Sequence, residues 1–106
     1  MPGDADIASI AALLADPTRA TMLLALSDGR AFTVSELAKS ARVTLSTASE
    51  HLDRLVKASL LTVEKQGRHR FYRLADPTIV EIMEDLARLA PQVQVGVPSS
   101  LVVFSC

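Results

Sequence analysis

The change of hydrophobic period near residue 60 constrains this 106-residue chain more than any other feature. From Leu45 to Ala58, apolar residues fall at Ala48, Leu52, Leu55 and Val56, the spacing of one helix face. Just downstream, Leu60-Leu61-Thr62-Val63-Glu64-Lys65 and His69-Arg70-Phe71-Tyr72-Arg73-Leu74 read as two strands. Gln66-Gly67-Arg68 joins them, a connection short enough for a hairpin. In the second strand Phe71 and Arg73 share one face, and Arg70, Tyr72 and Leu74 share the other. A helix that runs straight into a tight two-stranded ribbon leaves few architectures to a chain of single-domain length.

Upstream, the chain is punctuated by helix caps. Asp16-Pro17-Thr18 and Asp76-Pro77-Thr78 each present an aspartate N-cap with proline in the first turn. Thr33-Val34-Ser35-Glu36 fits a capping box, and Thr44 caps the helix that begins at Leu45. The expected helices are about Ile7–Leu14, Pro17–Leu26, Val34–Ser40, Leu45–Ala58 and Pro77–Ala90. Gly29 in Ser27-Asp28-Gly29 closes the second, and Pro91 ends the fifth. The fifth carries a stripe of Ile79, Ile82, Met83, Leu86 and Leu89. Two helices across a tight turn, followed at once by a basic hairpin, form a winged helix-turn-helix layout. The expected fold is mainly α with a small β-hairpin: five helices plus a two-stranded wing over residues 1–91. Residues 92–106 are expected as a C-terminal tail, uncharged, in which Val93, Val95 and Val97 alternate as in a strand or the end is loosely held.

Composition removes several function classes. A hydrophobic content of 49% is too high for a disordered chain. The longest apolar runs, such as Leu23 to Leu26, are too short to span a bilayer, and the first residues lack the pattern of a secretory signal. The single cysteine, Cys106, rules out an intrachain disulfide and any zinc site built from two cysteines of one chain. A cytoplasmic protein without a membrane partner is expected. The glycines are isolated, so there is no phosphate-cradling loop, and no Ser-His-acid constellation has recognisable spacing. The chain is not expected to be an enzyme.

Net charge is only −1, but it is unevenly spread. Between Arg42 and Arg73 seven basic residues face three acidic ones, whereas the remainder carries four basic and nine acidic residues. A basic middle with acidic flanks suits a protein that turns one face to an anionic polymer. Reading DNA with such a layout needs a helix that enters the major groove, small polar residues on its first exposed turns, and cations nearby for phosphates. Thr44, Ser46, Thr47, Ser49 and Glu50 supply the second requirement, and Arg54, Lys57, Arg68, His69 and Arg70 the third. Lys65 adds charge at the wing tip. Each has a plainer reading. Ser46 and Ser49 can make only local bonds near a helix start. Glu50 either accepts from a cytosine amino group or orients an arginine. His51 is read as packing against the preceding helix, and Arg68 and Arg70 can be solvated turn residues. A winged-helix module that binds protein instead of DNA is the rival class.

The fragments Asp16-Pro17-Thr18-Arg19, Ser35-Glu36-Leu37-Ala38, Ser46-Thr47-Ala48-Ser49-Glu50-His51-Leu52-Asp53-Arg54-Leu55 and Gly67-Arg68-His69-Arg70-Phe71-Tyr72-Arg73-Leu74 together resemble the ArsR/SmtB family of bacterial winged-helix repressors. The resemblance runs from about Ile7 to Ala90. It implies a homodimer on a pseudo-palindromic operator, released by an inducer that is here an unidentified small-molecule effector. An activator on the same fold has the same sequence signature. The resemblance also implies a dimer interface from the first and fifth helices, with Ile7, Ile10, Leu14, Ile79, Ile82, Met83, Leu86 and Leu89 as candidates; the plainer reading of the five on the fifth helix is intrachain core, which some of them form. Many members sense metal through two cysteines in the third helix, but Ser35 to Ser40 holds no thiol. Others use Asp and His, then His and Glu, from the fifth helix; here Asp76 is present, while Thr78 and Leu89 stand at the histidine positions. No metal and no cofactor are therefore expected.

Overall fold

The computed structural model describes residues 2–95, with side-chain surroundings from 7 to 89. The elements run α1 (Pro2–Leu14), α2 (Pro17–Ala25), β1 (Phe32–Thr33), α3 (Val34–Ala41), α4 (Leu45–Lys57), β2 (Leu61–Gln66), β3 (His69–Leu74) and α5 (Thr78–Val95). Five helices with a hairpin wing are the layout the period change implies. The core is one cluster: Met22, Leu23 and Leu26 of the second helical segment, Leu37 and Ala38 of α3, Ala48, Leu52 and Leu55 of α4, then Leu60, Leu61, Tyr72, Ile79 and Met83.

Helix starts follow the caps. Asp16 accepts from the Arg19 backbone N–H at 3.0 Å, ahead of Pro17. Thr33 and Glu36 form a complete capping box, in which the Thr33 hydroxyl accepts from the Glu36 N–H and the Glu36 carboxylate from the Thr33 N–H. Thr44 accepts from the Thr47 N–H at 3.1 Å. Asp76 accepts from the Thr78 N–H at 2.9 Å. Each bond satisfies a donor that the first turn of a helix leaves without an internal partner.

Several boundaries differ from expectation. α1 begins at Pro2, not near Ile7; a proline in the first turn and acidic residues behind it favour an early start even without an apolar period. α2 ends with Leu26 as its C-cap, and Gly29, at φ 84°, instead closes the following turn by donating to the Leu26 carbonyl. α5 continues through Pro91 to Val95. Proline removes one backbone donor, but its fixed φ is already helical, so it need not terminate the helix. Val93 and Val95 thus belong to a helix, not to a strand alternation. Val97, Leu101 to Phe104 and Cys106 lie outside the described residues.

The sheet has three antiparallel strands in the order β1-β3-β2. The extra strand, β1, pairs Phe32 with Tyr72 and Thr33 with Phe71. Two residues carry no period, which is why sequence patterning passes over it. In the wing Gln66 opposes His69, so the turn proper is two residues, Gly67-Arg68, not three. Gly67 sits at φ 64°, a positive φ that two-residue hairpin turns demand and glycine adopts without strain.

Candidate nucleic-acid interface

The helix-turn-helix is held at both joints by chain reversals built on left-handed residues. Arg42, at φ 59°, ends α3, and the Val43 N–H returns to the Ala38 carbonyl at 3.0 Å. Ser59, at φ 65°, follows α4; there the Leu60 N–H returns to Leu55 at 2.9 Å and the Ser59 N–H to Val56 at 2.9 Å. That is a Schellman closure with serine in the place usually given to glycine. It drops Leu60 and Leu61 into the core and aims β2 away from the end of α4.

α4 is sharply two-sided. Ala48, Leu52 and Leu55 are fully buried, with Val56 half-buried beside them. Ser46, Glu50, Asp53, Arg54 and Lys57 are exposed. Thr44 is exposed as well, but its hydroxyl is occupied by the cap and by a 3.1 Å bond to the Thr47 hydroxyl. Thr47 and Ser49 are half-buried, so the most open hydroxyl of the first turn is that of Ser46. Glu50 forms no salt bridge among the described residues, which leaves its carboxylate uncommitted.

The wing is solvent-exposed throughout from Thr62 to Arg70. Lys65 opposes Arg70 in the ladder, which places two cations side by side near the tip, with Arg68 in the turn. His69 stands edge-on to Phe71, ring centroids 6.3 Å apart. Among the described residues none of Arg54, Lys57, Lys65, Arg68 or Arg70 takes part in a salt bridge. These cations are therefore hydrated and available to an anionic partner.

Sequence reasoning gave no role to Arg19. Its Nε donates to the Leu13 carbonyl at 2.8 Å and its terminal nitrogen to Ala12 at 3.3 Å, closing the C-terminal end of α1. Its other terminal nitrogen meets His51 Nδ1 at 3.0 Å, and His51 Nε2 lies 4.0 Å from the Asp16 carboxylate. His51 is expected against the preceding helix, whereas its polar partners lie at the α1–α2 corner, to which it ties α4. The Asp-Pro cap with an arginine three residues on was the available signal; the partner 32 residues away was not.

The Arg19 backbone N–H holds the Asp16 carboxyl below its ordinary pKa, with charge from His51 and Arg19 adding to it. The Thr78 N–H does the same for Asp76. A depressed carboxylate contributes stability that is complete above the unfolded-state value and is lost as pH falls through the lower folded value. Thermal stability is therefore expected to decline below about pH 4, and more shallowly in Asp16→Asn, which keeps a capping oxygen without titrating. Melting temperatures across pH 2–5 check this; equal acid limbs would remove Asp16 from it.

Between α1 and α5, Ile7, Ile10, Ala11 and Leu14 of the first and Ile82 and Leu86 of the second line an apolar groove of about 610 Å³. Leu86 is 52% exposed and Leu89 57%. Ile79 and Met83, counted with them from the stripe alone, are only 6% and 8% exposed. They face the protomer core, because a stripe wide enough to hold both sets serves two neighbours at once.

A family profile described as a helix-turn-helix domain matches residues 14–64. The transcriptional regulator CmtR of Mycobacterium tuberculosis is 33% identical over 92 residues, which cover 87% of this chain and 77% of CmtR. The chain belongs to the ArsR/SmtB family. This makes it a DNA-binding regulator of transcription, and α3–turn–α4 its helix-turn-helix. Another relative, the uncharacterised HTH-type transcriptional regulator YdfF of Bacillus subtilis, is 48% identical over 90 residues. The alignment spans 85% of this chain but only 40% of YdfF. Among solved structures, the homodimeric winged helix-turn-helix domain of Mb0332 from Mycobacterium bovis, described as a possible ArsR-family regulator, superimposes with a TM-score of 0.61 at 30% identity. It covers 91% of this chain and 82% of that one.

Proposed function

We propose that this ArsR/SmtB protein is a repressor that binds a pseudo-palindromic operator as a homodimer and is released by a small-molecule effector. The observation that carries the reading is the outer side of α4, open at Ser46 and Glu50 and flanked by cations of α4 and the wing that form no salt bridge among the described residues. Ser46, Ser49 and Glu50 are assigned to base edges, with Thr44 and Thr47 shaping the helix start. Arg54, Lys57, Arg68, His69 and Arg70 are assigned to phosphates and the minor groove. The protein acts by binding and not by catalysis, in the cytoplasm where its DNA lies. No helix among the described residues is long and apolar enough to cross a membrane.

The second copy is assigned to the groove between α1 and α5. Ile7, Ile10, Leu14, Ile82, Leu86 and Leu89 expose apolar surface there that a lone protomer leaves in water. A two-fold axis through it sets two copies of α4 against successive major grooves, about 34 Å apart.

The salt dependence of operator binding tests the reading. Each phosphate neutralised releases counterions, so affinity should fall at least about a hundredfold between 50 and 200 mM salt. A complex that hardly responds to salt would instead indicate an apolar protein partner.

A further inference from the structure

Leu45 opens α4, is 55% exposed, and has no place in the contacts assigned above. It stands one turn before Ala48, so it continues the buried line of α4 beyond the end of the core. Its surroundings are an apolar floor, Ala38 and Val43, with polar residues at the rim. Thr44 and Ser46 on either side are exposed, and Leu45 borders a groove of about 430 Å³ with Ser35, Lys39, Arg42 and Val43. Ser35, Lys39 and Arg42 are exposed. An apolar side chain is thus presented at the mouth of the helix-turn-helix, between the first open hydroxyl of α4 and two cations.

The N-terminal residues of a recognition helix are the ones that reach base edges. Among the groups displayed in the major groove, the C5-methyl of thymine is the apolar one. We propose that Leu45 determines sequence specificity by packing against a thymine methyl in each half-site, while Lys39 and Arg42 hold the flanking phosphates. The assignment rests on α4 being the DNA-reading helix. It deepens that reading by naming the base that the first residue of the helix selects. Leucine offers no hydrogen bond, so the discrimination comes from covering a methyl group and from excluding the polar edge of a cytosine at that position.

The test uses the full chain. Sites are selected from random duplexes, and each thymine of the preferred site is replaced singly by deoxyuridine. That exchange deletes the methyl and leaves every hydrogen-bonding group in place. The wild type should lose about fourfold in affinity at one thymine per half-site, the effect of one buried methyl. Leu45→Ala, whose change lies outside the core, should bind the thymine and uridine duplexes equally at that position. Leu45→Val should retain part of the difference. Indifference of the wild type to every methyl, or an unchanged methyl effect in Leu45→Ala, overturns the assignment. Failure of the wild type to enrich any site overturns the DNA-reading surface itself, and is distinct from either result.

Discussion

Leu86→Asp should turn the protein into a monomer and lower operator affinity by at least about a hundredfold. Leu86 lies on α5, half-exposed, at the rim of the apolar groove shared with α1. In a lone protomer the new carboxylate stays hydrated and costs little. Buried against a second copy without a partner, it costs several kcal/mol, more than a modest apolar interface supplies. The change is outside the core, so the circular dichroism spectrum should match the wild type. Each half-site is then held singly, and the gain from two linked contacts is lost. Sedimentation velocity and a mobility shift on the same samples check both parts. A variant that still sediments as a dimer moves the interface away from α5.

Replacing both wing arginines, Arg68→Ala with Arg70→Ala, should act differently. Both residues are exposed, and among the described residues neither is in a salt bridge, so their loss leaves the fold untouched. Each protomer of the dimer loses two phosphate contacts, four in all, which lowers the slope of log affinity against log salt by about 4. At low salt, affinity should drop by roughly tenfold or more on specific and random duplexes alike, because phosphates carry no sequence information. Unchanged affinity on random DNA would take the wing out of the mechanism.

The contrast between these variants reflects what sequence exposes and what it hides. Caps were legible because each is settled within three residues: Asp16 with Arg19, Thr33 with Glu36, Thr44 with Thr47. The two faces of α4 were legible because its buried residues recur at helical spacing. The α5 stripe was legible as apolar and as shared between core and surface, but not as to which residue goes where. Ile79 and Met83 face inward and Ile82 and Leu86 outward, a split that depends on where the other helices lie. The joint between Arg19 and His51 depends on a long-range encounter and leaves no local pattern. Tyr72 shows the same limit: it is buried because β1 and β2 flank it, and β1 is too short to predict. The hydroxyl of Thr47, read as facing a base, is engaged with Thr44, since a helix start competes for the side chains that would read DNA.

Site selection from random DNA, run in parallel on the wild type and on a Ser46→Ala, Glu50→Ala double variant, most directly examines whether the outer side of α4 chooses bases. The wild type should enrich two related half-sites one helical turn apart, and the variant should lose preference at one or more base pairs in each while still binding random duplex. Identical enriched sites from the two proteins would contradict that role for α4, whatever the wing contributes.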